Sequence, residues 1–238
     1  MLVNCDVKSL EVYTAADWYD DTTLKGELLQ KLDLHSLNQE RFGLPNRVTA
    51  KILIFKTLYG GTAFGFANDP DFFSVGFNEK QWDKVLNEFY TKYPGIAKGH
   101  TRDIKFVREN GYLEIPSGRY FPFDRRSINV NKPWTLTKVK NYPIQGFGAD
   151  LVKLGRIEAF RRFREAELEG EFICTIHDSL VYDVPEKNVD ATVKILKESI
   201  AKVPEICYNI YMYKFSLPLL CEISVGLNKF DMEVVKEV

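Results

Sequence analysis

The stretch Arg47-Val-Thr-Ala-Lys51-Ile-Leu-Ile-Phe55-Lys-Thr-Leu-Tyr59-Gly60-Gly61 combines a helix-forming composition with regularly spaced cations and aromatic residues. Arg47, Lys51, Phe55 and Tyr59 lie four residues apart, so on an α-helix they form one stripe. A helix is expected because Ala, Lys, Leu and Ile dominate, no proline interrupts, and two glycines stop it. Cations suit a polyphosphate, and aromatics suit a sugar and base. The spacing alone also fits a surface helix whose aromatics pack into a core.

The composition is that of a soluble globular protein. The chain has 238 residues, 45% hydrophobic and 27% charged, which is enough for one large domain or two modest ones. A net charge of −1 counts against a long DNA footprint. Local basic clusters offset this, although each also fits a solvated face: Arg125-Arg126, Lys138 with Lys140, and Arg161-Arg162 with Arg164.

Neither a disulfide framework nor a membrane anchor is indicated by the sequence. The four cysteines lie beside apolar residues without paired spacing, so we expect buried thiols in a reducing, cytoplasmic compartment. No signal peptide and no uncharged apolar run of membrane-spanning length is visible. We therefore expect no membrane partner.

The chain opens with an apolar strand that runs into an acid. Residues 2–7 predict a buried strand, and an abrupt start of this kind leaves such a strand without the neighbours it needs. Asp6 at its end is costly to bury unless it is paired or binds a cation. Capping of the following helix, which the pattern predicts from Val12 to Trp18, is the alternative role for Asp6.

A second acid is predicted at the tip of a hairpin. Residues 171–185 form two apolar runs around His177-Asp178, so Asp178 projects from a rigid sheet. Upstream, Asn141 and Gln145 open a predicted helix that buries one face as far as Phe163, although both could serve only as helix-start caps.

The remaining segments alternate between predicted helices, loops and strands. The sequence predicts helices at residues 25–43, 79–93, 96–110 and 189–200. It predicts a loop at residues 68–78, a hairpin at residues 111–122 and a final strand at residues 218–231. His35 lies in the first of these helical segments and, taken alone, fits a surface or core residue.

In chain order, these motifs resemble family A (polymerase I-like) DNA polymerases over about residues 3–232. The resemblance rests on Asp6-x3-Leu10-Glu11, Asp33-Leu-His35, the Arg47–Tyr59 stripe, Asn141-x-Pro-x-Gln145-Gly, His177-Asp178, and the C-terminal Glu222-x3-Gly226-x-Asn228 pattern. It implies an α+β fold, with a palm of antiparallel sheet and packed helices and mostly helical fingers, and with thumb and exonuclease absent. The implied limits are palm at 1–21, fingers at 22–130 and palm at 131–238.

The resemblance also implies a role for each motif residue. Asp6, the Val7 carbonyl and Asp178 would hold two Mg²⁺ ions, for which Mn²⁺ can substitute. The two acids would come from adjacent strands of one sheet. The nucleotide would be bound by six residues: Glu11, His35, Arg47, Lys51, Phe55 and Tyr59. Lys51 would also be a catalytic residue, together with Asp6 and Asp178. Glu11 would exclude a ribose 2′-hydroxyl. DNA contacts would come from Arg119, Asn141, Gln145 and His177.

Three departures from the family pattern are visible. Tyr13 stands where the family has Arg, which puts any role of that Arg in doubt. Ser179 replaces the Glu of His-Asp-Glu, which predicts weaker metal binding or a slower reaction. The connection from Pro45 to Arg47 is shorter than in relatives, which predicts trimmed fingers.

The implied function is template-directed addition of dNTPs to a primer 3′-hydroxyl. The implied partners are primer-template DNA, dNTPs, and a second chain that supplies thumb, N-terminal palm and possibly a 3′–5′ exonuclease, as in a split polymerase of a phage or virus. Two other classes stay open. One is a single-subunit RNA polymerase or reverse transcriptase, and the other is a non-catalytic DNA-binding or assembly subunit.

Overall fold

The computed structural model describes residues 1–235, apart from the side chains of residues 133 and 134, and divides them into two compact units. Unit 1 comprises Met1–Leu10 and the chain from Gly146 onward, and unit 2 comprises Glu11–Gln145. The end of the predicted range 131–238 lies outside the described residues. Among the described residues, no helix has both the length and the apolar character needed to cross a bilayer.

Unit 1 is built on a five-stranded antiparallel sheet with the strand order β4-β5-β1-β6-β7. The strands are β1 (Leu2–Val7), β4 (Glu171–Ile176), β5 (Ser179–Asp183), β6 (Cys221–Gly226) and β7 (Glu233–Val234). The predicted strand at residues 2–7 is confirmed. The expectation that it lacks neighbours is wrong, because β1 pairs with β5 on one side and β6 on the other.

Alternation along β1 separates an apolar face from a polar one. Val3, Cys5 and Val7 are buried, and helix α10 (Val189–Tyr211) packs against this strand. Because successive side chains point to opposite faces of a strand, Asn4 and Asp6 share the other face. The sheet therefore presents Asp6 from a backbone that is hydrogen-bonded on both sides.

Two long α-helices and the short 3₁₀ helix Glu186–Asn188 belong to the described part of unit 1. Helix α9 (Pro133–Glu165) begins in unit 2 and ends in unit 1, where it packs closely against α10. A Cβ at Gly155 of α9 would come within 2.7 Å of Ile200 Cδ1, so glycine permits this approach. The predicted helix from residue 189 is confirmed, and it continues through Pro204 to Tyr211.

Unit 2 is mostly helical, with one small hairpin formed by β2 (Tyr112–Glu114) and β3 (Tyr120–Pro122). Its helices, besides the start of α9, are α1 (Leu10–Trp18), α2 (Thr22–Leu29), α3 (Leu34–Phe42), α4 (Arg47–Leu58), α5 (Ala63–Ala67), α6 (Glu79–Lys92), α7 (Pro94–Asn110) and α8 (Arg125–Asn129). The α+β class expected from the sequence is confirmed.

Buried polar side chains hold the helices of unit 2 in place. Asp21 Oδ1 accepts from the Leu24 amide at 2.8 Å and caps α2, while its Oδ2 accepts from the amides of Gly95 and Ile96 at the start of α7. His100 Nε2 lies 3.1 Å from the carbonyl oxygen of Leu58. These bonds satisfy helix-end groups that would otherwise be costly to bury.

Four local predictions differ from the structure. The helix expected to open at Asn141 begins instead at Pro133, because Pro143 is accommodated inside α9 rather than near its start. The loop at 68–78 contains a 3₁₀ helix, Pro70–Val75, tied down by Lys56. The strand predicted at residues 218–231 is limited to Cys221–Gly226. Of the four thiols, all free, Cys174 is only partly buried.

Candidate active site

The two acids singled out by the sequence lie on neighbouring strands of unit 1. Asp6 is directly opposite Ser179 in the β1–β5 register, and Asp178 immediately precedes that serine in the turn from β4 to β5. The Val7 amide donates to the Asp178 carbonyl oxygen at 3.2 Å. Both carboxyl groups are therefore positioned by backbone pairing, and both side chains are partly exposed.

Ser179, which replaces a family Glu, is bonded to one of these acids. Its buried hydroxyl donates to Asp6 Oδ2 at 2.7 Å. A hydroxyl supplies one neutral donor here, where a Glu would supply a third carboxylate. Among the described residues, no group of three or more His, Cys, Asp or Glu side chains could hold a metal ion.

The turn that carries Asp178 is tight. His177 has φ 55°, a left-handed conformation that non-glycine residues adopt rarely, and its side chain is exposed. The strands on either side, β4 and β5, are paired up to Ile176 and Ser179. The predicted two-residue His-Asp turn is therefore present, and it presents both side chains at the end of a rigid hairpin.

Unit 2 gathers a second set of predicted residues at the start of α3 and along α4. Asp33 is the N-cap of α3 and accepts from the amides of His35 and Ser36. The same carboxylate accepts from Arg47 Nε, at 2.8 Å from Oδ2 and 3.2 Å from Oδ1. One acid thus links the helix that carries His35 to the helix that carries Arg47.

The charges in this cluster shift two pKa values. The hydrogen bond from Arg47 is the main cause that holds the pKa of Asp33 well below its usual value. Burial lowers the pKa of His35; Arg47 and Lys51 act in the same direction, and Asp33 opposes them. His35 is therefore neutral at pH 7. Its Nδ1 is buried and has no hydrogen-bond partner among the described residues.

The two aromatic positions of the stripe lie farther along α4. The His35 and Phe55 rings are 6.4 Å apart, and Lys51 Nζ lies 6.0 Å from the Phe55 centroid. Tyr59 is the C-cap of α4, where its amide donates to the Phe55 carbonyl oxygen. Unit 2 therefore brings His35, Arg47, Lys51 and Phe55 into one neighbourhood, with Tyr59 one turn beyond.

The remaining predicted residues of unit 2 occupy two separate places. Gln145 Nε2 donates to Glu11 Oε1 at 3.3 Å, so these two residues from α9 and α1 are neighbours. Asn141 lies one turn earlier on α9 and is partly buried. Arg119 is exposed at the start of the second hairpin strand, and its carbonyl accepts from Ile115.

Sequence patterns alone did not reveal the residues that hold the helices of the candidate site in place. Asp33 was noticed only as part of a motif, although Asp33-Leu-His-Ser36 is an N-cap pattern. Asp21 before α2 carries the same signal. The ion pair to Arg47 and the second cap on α7 depend on distant residues, so no local pattern reveals them.

Comparison with known proteins gives a family for this arrangement. A sequence model described as DNA polymerase family A matches residues 1–231. The chain belongs to DNA polymerase family A. It is 25% identical to DNA polymerase I of Caldicellulosiruptor bescii, over 97% of this chain and 27% of that protein. It is 27% identical to DNA polymerase I of Chloroflexus aurantiacus, over 97% of this chain and 24% of that protein.

A solved polymerase-domain structure has the same fold. The POL domain of Pol1 from M. smegmatis, in complex with DNA primer-template and dNTP, matches with a TM-score of 0.80 and 19% sequence identity. The match covers 94% of this chain and 39% of that chain. The chain thus spans about a quarter of the length of the curated relatives above. Family A DNA polymerases generally use divalent metal ions.

Proposed function

We propose that this chain catalyses template-directed DNA synthesis, adding dNTPs to a primer 3′-hydroxyl. The observation that carries the proposal is the placement of Asp6 beside the Asp178 turn on adjacent strands. Membership of family A supports the reaction class. Phosphoryl transfer requires positioning and charge neutralisation more than covalent help from the protein, and this chain offers acids and cations for both.

The acid pair fits divalent metal ions by its donor chemistry. Magnesium prefers carboxylates together with substrate oxygens, so Asp6 and Asp178, with the Val7 carbonyl, are suitable ligands, and Mn²⁺ can substitute. Two bound ions supply charge neutralisation of the attacking and leaving oxygens.

The α3–α4 cluster fits the triphosphate and sugar of a dNTP. The hydrogen bonds from Arg47 to Asp33 are donated by Nε, which leaves both terminal guanidinium nitrogens to bind phosphate oxygens. Lys51 is exposed and adds a second cation. His35, whose pKa is lowered mainly by burial, adds a hydrogen-bonding group beside these cations. Phe55 would pack on the sugar, and Tyr59 would abut the templating position.

Four polar residues are proposed to contact DNA. Asn141 and Gln145 would reach the minor groove near the primer terminus, where acceptors lie at similar places for every base pair. Arg119 and His177, both exposed, would contact the backbone. Glu11 would crowd a ribose 2′-hydroxyl, and its hydrogen bond from Gln145 restricts its position. We also propose palm at 1–21 and 131–238 and fingers at 22–130.

The parts of the relatives outside the matched region, about three quarters of their length, correspond here either to a second chain or to the rest of a longer polypeptide. We further propose the first arrangement, in which a second chain supplies thumb, N-terminal palm and possibly exonuclease. The mass of the native polypeptide and its co-purifying proteins test this arrangement. One native polypeptide of the relatives' full length, or full processive synthesis by the isolated 238-residue chain, contradicts it.

Single-nucleotide primer extension tests the proposed reaction. The native protein, with any co-purifying chain, is mixed with a labelled primer-template, Mg²⁺ and each dNTP separately. We expect extension only by the nucleotide complementary to the template. Addition of all four dNTPs at similar rates, or addition without a template, contradicts template-directed synthesis.

Two other classes predict different results. For a single-subunit RNA polymerase or reverse transcriptase, the test is nucleotide and template choice: a wild type that takes rNTPs freely, or prefers an RNA template, supports that class. We instead expect wild-type exclusion of rNTPs, and relaxed exclusion in Glu11→Ala. Ser179, which removes a family carboxylate, favours a non-catalytic DNA-binding or assembly subunit as the second alternative. Such a subunit would bind primer-template without metal-dependent extension.

A further inference from the structure

The β2–β3 hairpin of unit 2 exposes a chain of three aromatic rings, which we name the hairpin surface. Tyr112 and Tyr120 stack with centroids 4.5 Å apart and an interplanar angle of 23°. Phe106 of α7 meets Tyr112 edge to face at 5.5 Å. Tyr120 is 55% exposed and Phe106 39% exposed. Large aromatic groups are thus left in contact with solvent.

Strand alternation explains why this face of the hairpin is open. Leu113 of β2 is buried in a core cluster with Val107, Ile128 and Val139. Phe121, its register partner in β3, packs toward Tyr142 at 5.5 Å. Tyr112 and Tyr120, which alternate with these residues, therefore lie on the opposite face. The hairpin is anchored through one face and presents the stacked tyrosines on the other.

The segment that contains the hairpin surface is basic. Residues 105–132 carry six cations and three acids, a net charge of +3, although the whole chain has a net charge of −1. The six cations are all exposed: Lys105, Arg108, Arg119, Arg125, Arg126 and Lys132. Arg125 is fixed in place, because its Nη2 donates to the carbonyls of Arg108 and Glu109 at the end of α7. The potential here favours an anionic partner.

We propose that the hairpin surface binds single-stranded nucleic acid. Exposed ring faces stack on unpaired bases of any sequence, and exposed cations of the same segment, of which Lys105 and Arg119 directly precede two of the rings, can bind the backbone phosphates. A duplex is a poorer occupant, because its base faces are already stacked on one another. The three rings are outside the residues assigned to the proposed polymerase reaction, and of the six cations only Arg119 is among the proposed DNA contacts, so the stacking on these rings can be tested separately from that reaction.

Fluorescence anisotropy with 5′-fluorescein-labelled dT20 at low salt tests the proposal, using the native protein. Tyr120→Ala is expected to raise the Kd about tenfold, the size that loss of one base–aromatic stack gives. Tyr120→Phe keeps the ring and should bind as the wild type does. Tyr208→Ala removes a tyrosine of similar exposure in unit 1 and is the matched control, with no expected change.

A salt titration separates stacking from charge. The double variant Lys105→Ala/Arg126→Ala should reduce the slope of log K against log salt by about 1.4, at about 0.7 for each phosphate contact to a single strand. Tyr120→Ala should leave that slope unchanged. Circular dichroism checks that each variant is folded, and Tyr120→Leu, which keeps apolar bulk without a ring, replaces Tyr120→Ala if the latter unfolds.

The proposal is overturned if the wild type does not bind dT20, or if folded Tyr120→Ala or Tyr120→Leu binds as tightly as Tyr120→Phe. Its failure is distinguishable from failure of the proposed polymerase function. A wild type without primer extension but with Tyr120-dependent dT20 binding retains the hairpin surface and loses the enzyme. If the wild type extends primers but its binding of dT20 does not depend on Tyr120, the proposed polymerase function stands and the hairpin-surface proposal fails.

Discussion

The acid pair of unit 1 and the cation cluster of unit 2 are held in place by different means. Asp6 and Asp178 are positioned by strands whose backbone bonds fix their register. Arg47 is positioned by a side-chain ion pair with Asp33, in which both partners are about half exposed. Backbone pairing fixes the two carboxylates rigidly, whereas a partly solvated ion pair can rearrange when a ligand binds. Substitutions should therefore have larger and more uniform effects in the sheet than in the helices.

The largest effect is expected from the acids. Asp6→Ala or Asp178→Ala should lower primer extension about 10³-fold, because each substitution removes one of the two proposed carboxylate ligands of the metal ions. Steady-state extension at saturating dNTP and Mg²⁺ measures it, with Asp190→Ala, an exposed acid of α10, as control. Metal-dependent extension that survives both substitutions shows that the reaction does not use this pair.

The next largest effect is expected from the two cations of α4. Lys51→Ala and Arg47→Ala should each raise the KM for dNTP about 10- to 100-fold, the loss expected when a charge-assisted bond to phosphate is removed. Initial rates against dNTP concentration measure this, with Lys84→Ala on α6 as the matched control for an exposed lysine. Unchanged KM values in both variants place the triphosphate elsewhere.

A smaller effect is expected from the residue that orients Arg47. Asn is as good an N-cap as Asp, so Asp33→Asn keeps the cap of α3 but removes the charge that holds Arg47. The KM for dNTP should rise about three- to tenfold with little change in kcat or in Tm. Asp33→Asn in an Arg47→Ala background should add nothing further. An additive effect there shows that Asp33 acts independently of Arg47.

The smallest effect concerns stability in unit 2. Burial lowers the pKa of His100 to about 3, against an ordinary value near 6.5, so the folded state prefers the neutral ring. This contribution is fully present above pH 6.5 and is lost as the pH falls toward 3. Urea midpoints of unfolding between pH 7 and pH 4 should therefore fall less in His100→Gln than in the wild type. Thr101→Ala, an exposed neighbour, should keep the wild-type slope; equal slopes in all three contradict this role for His100.

The same contrast explains how much of the structure the sequence could predict. Strands β1, β4 and β5 were predictable because each is a short apolar run bounded by polar or turn residues. The neighbours of β1 could not be predicted from local patterns, because its partners are more than 170 residues away in the chain; only the family resemblance implied that the strands of the two acids are adjacent. The start of α9 was misplaced because a proline inside a helix looks locally like a helix beginning.

The residues of the candidate site divide in the same way, into those that a local motif reveals and those that only the fold brings together. The acids, the α4 stripe and the His-Asp turn could be identified because each is a compact motif with a chemical meaning. Their supports could not, since the bond from Ser179 to Asp6 and the ion pair from Arg47 to Asp33 join residues that only the fold brings together. The lowered pKa of His35 also needed the structure, because burial is its main cause and Arg47 and Lys51 add to it.

The central claim is that Asp6 and Asp178 together bind the metal ions that act on the nucleotide. Electron paramagnetic resonance of Mn²⁺, titrated into protein with primer-template and a non-hydrolysable dNTP analogue, tests it most directly. We predict two bound ions in the wild type, and loss of both in Asp6→Asn and in Asp178→Asn, while Asp190→Asn keeps them. Unchanged Mn²⁺ binding in both acid variants would contradict the account.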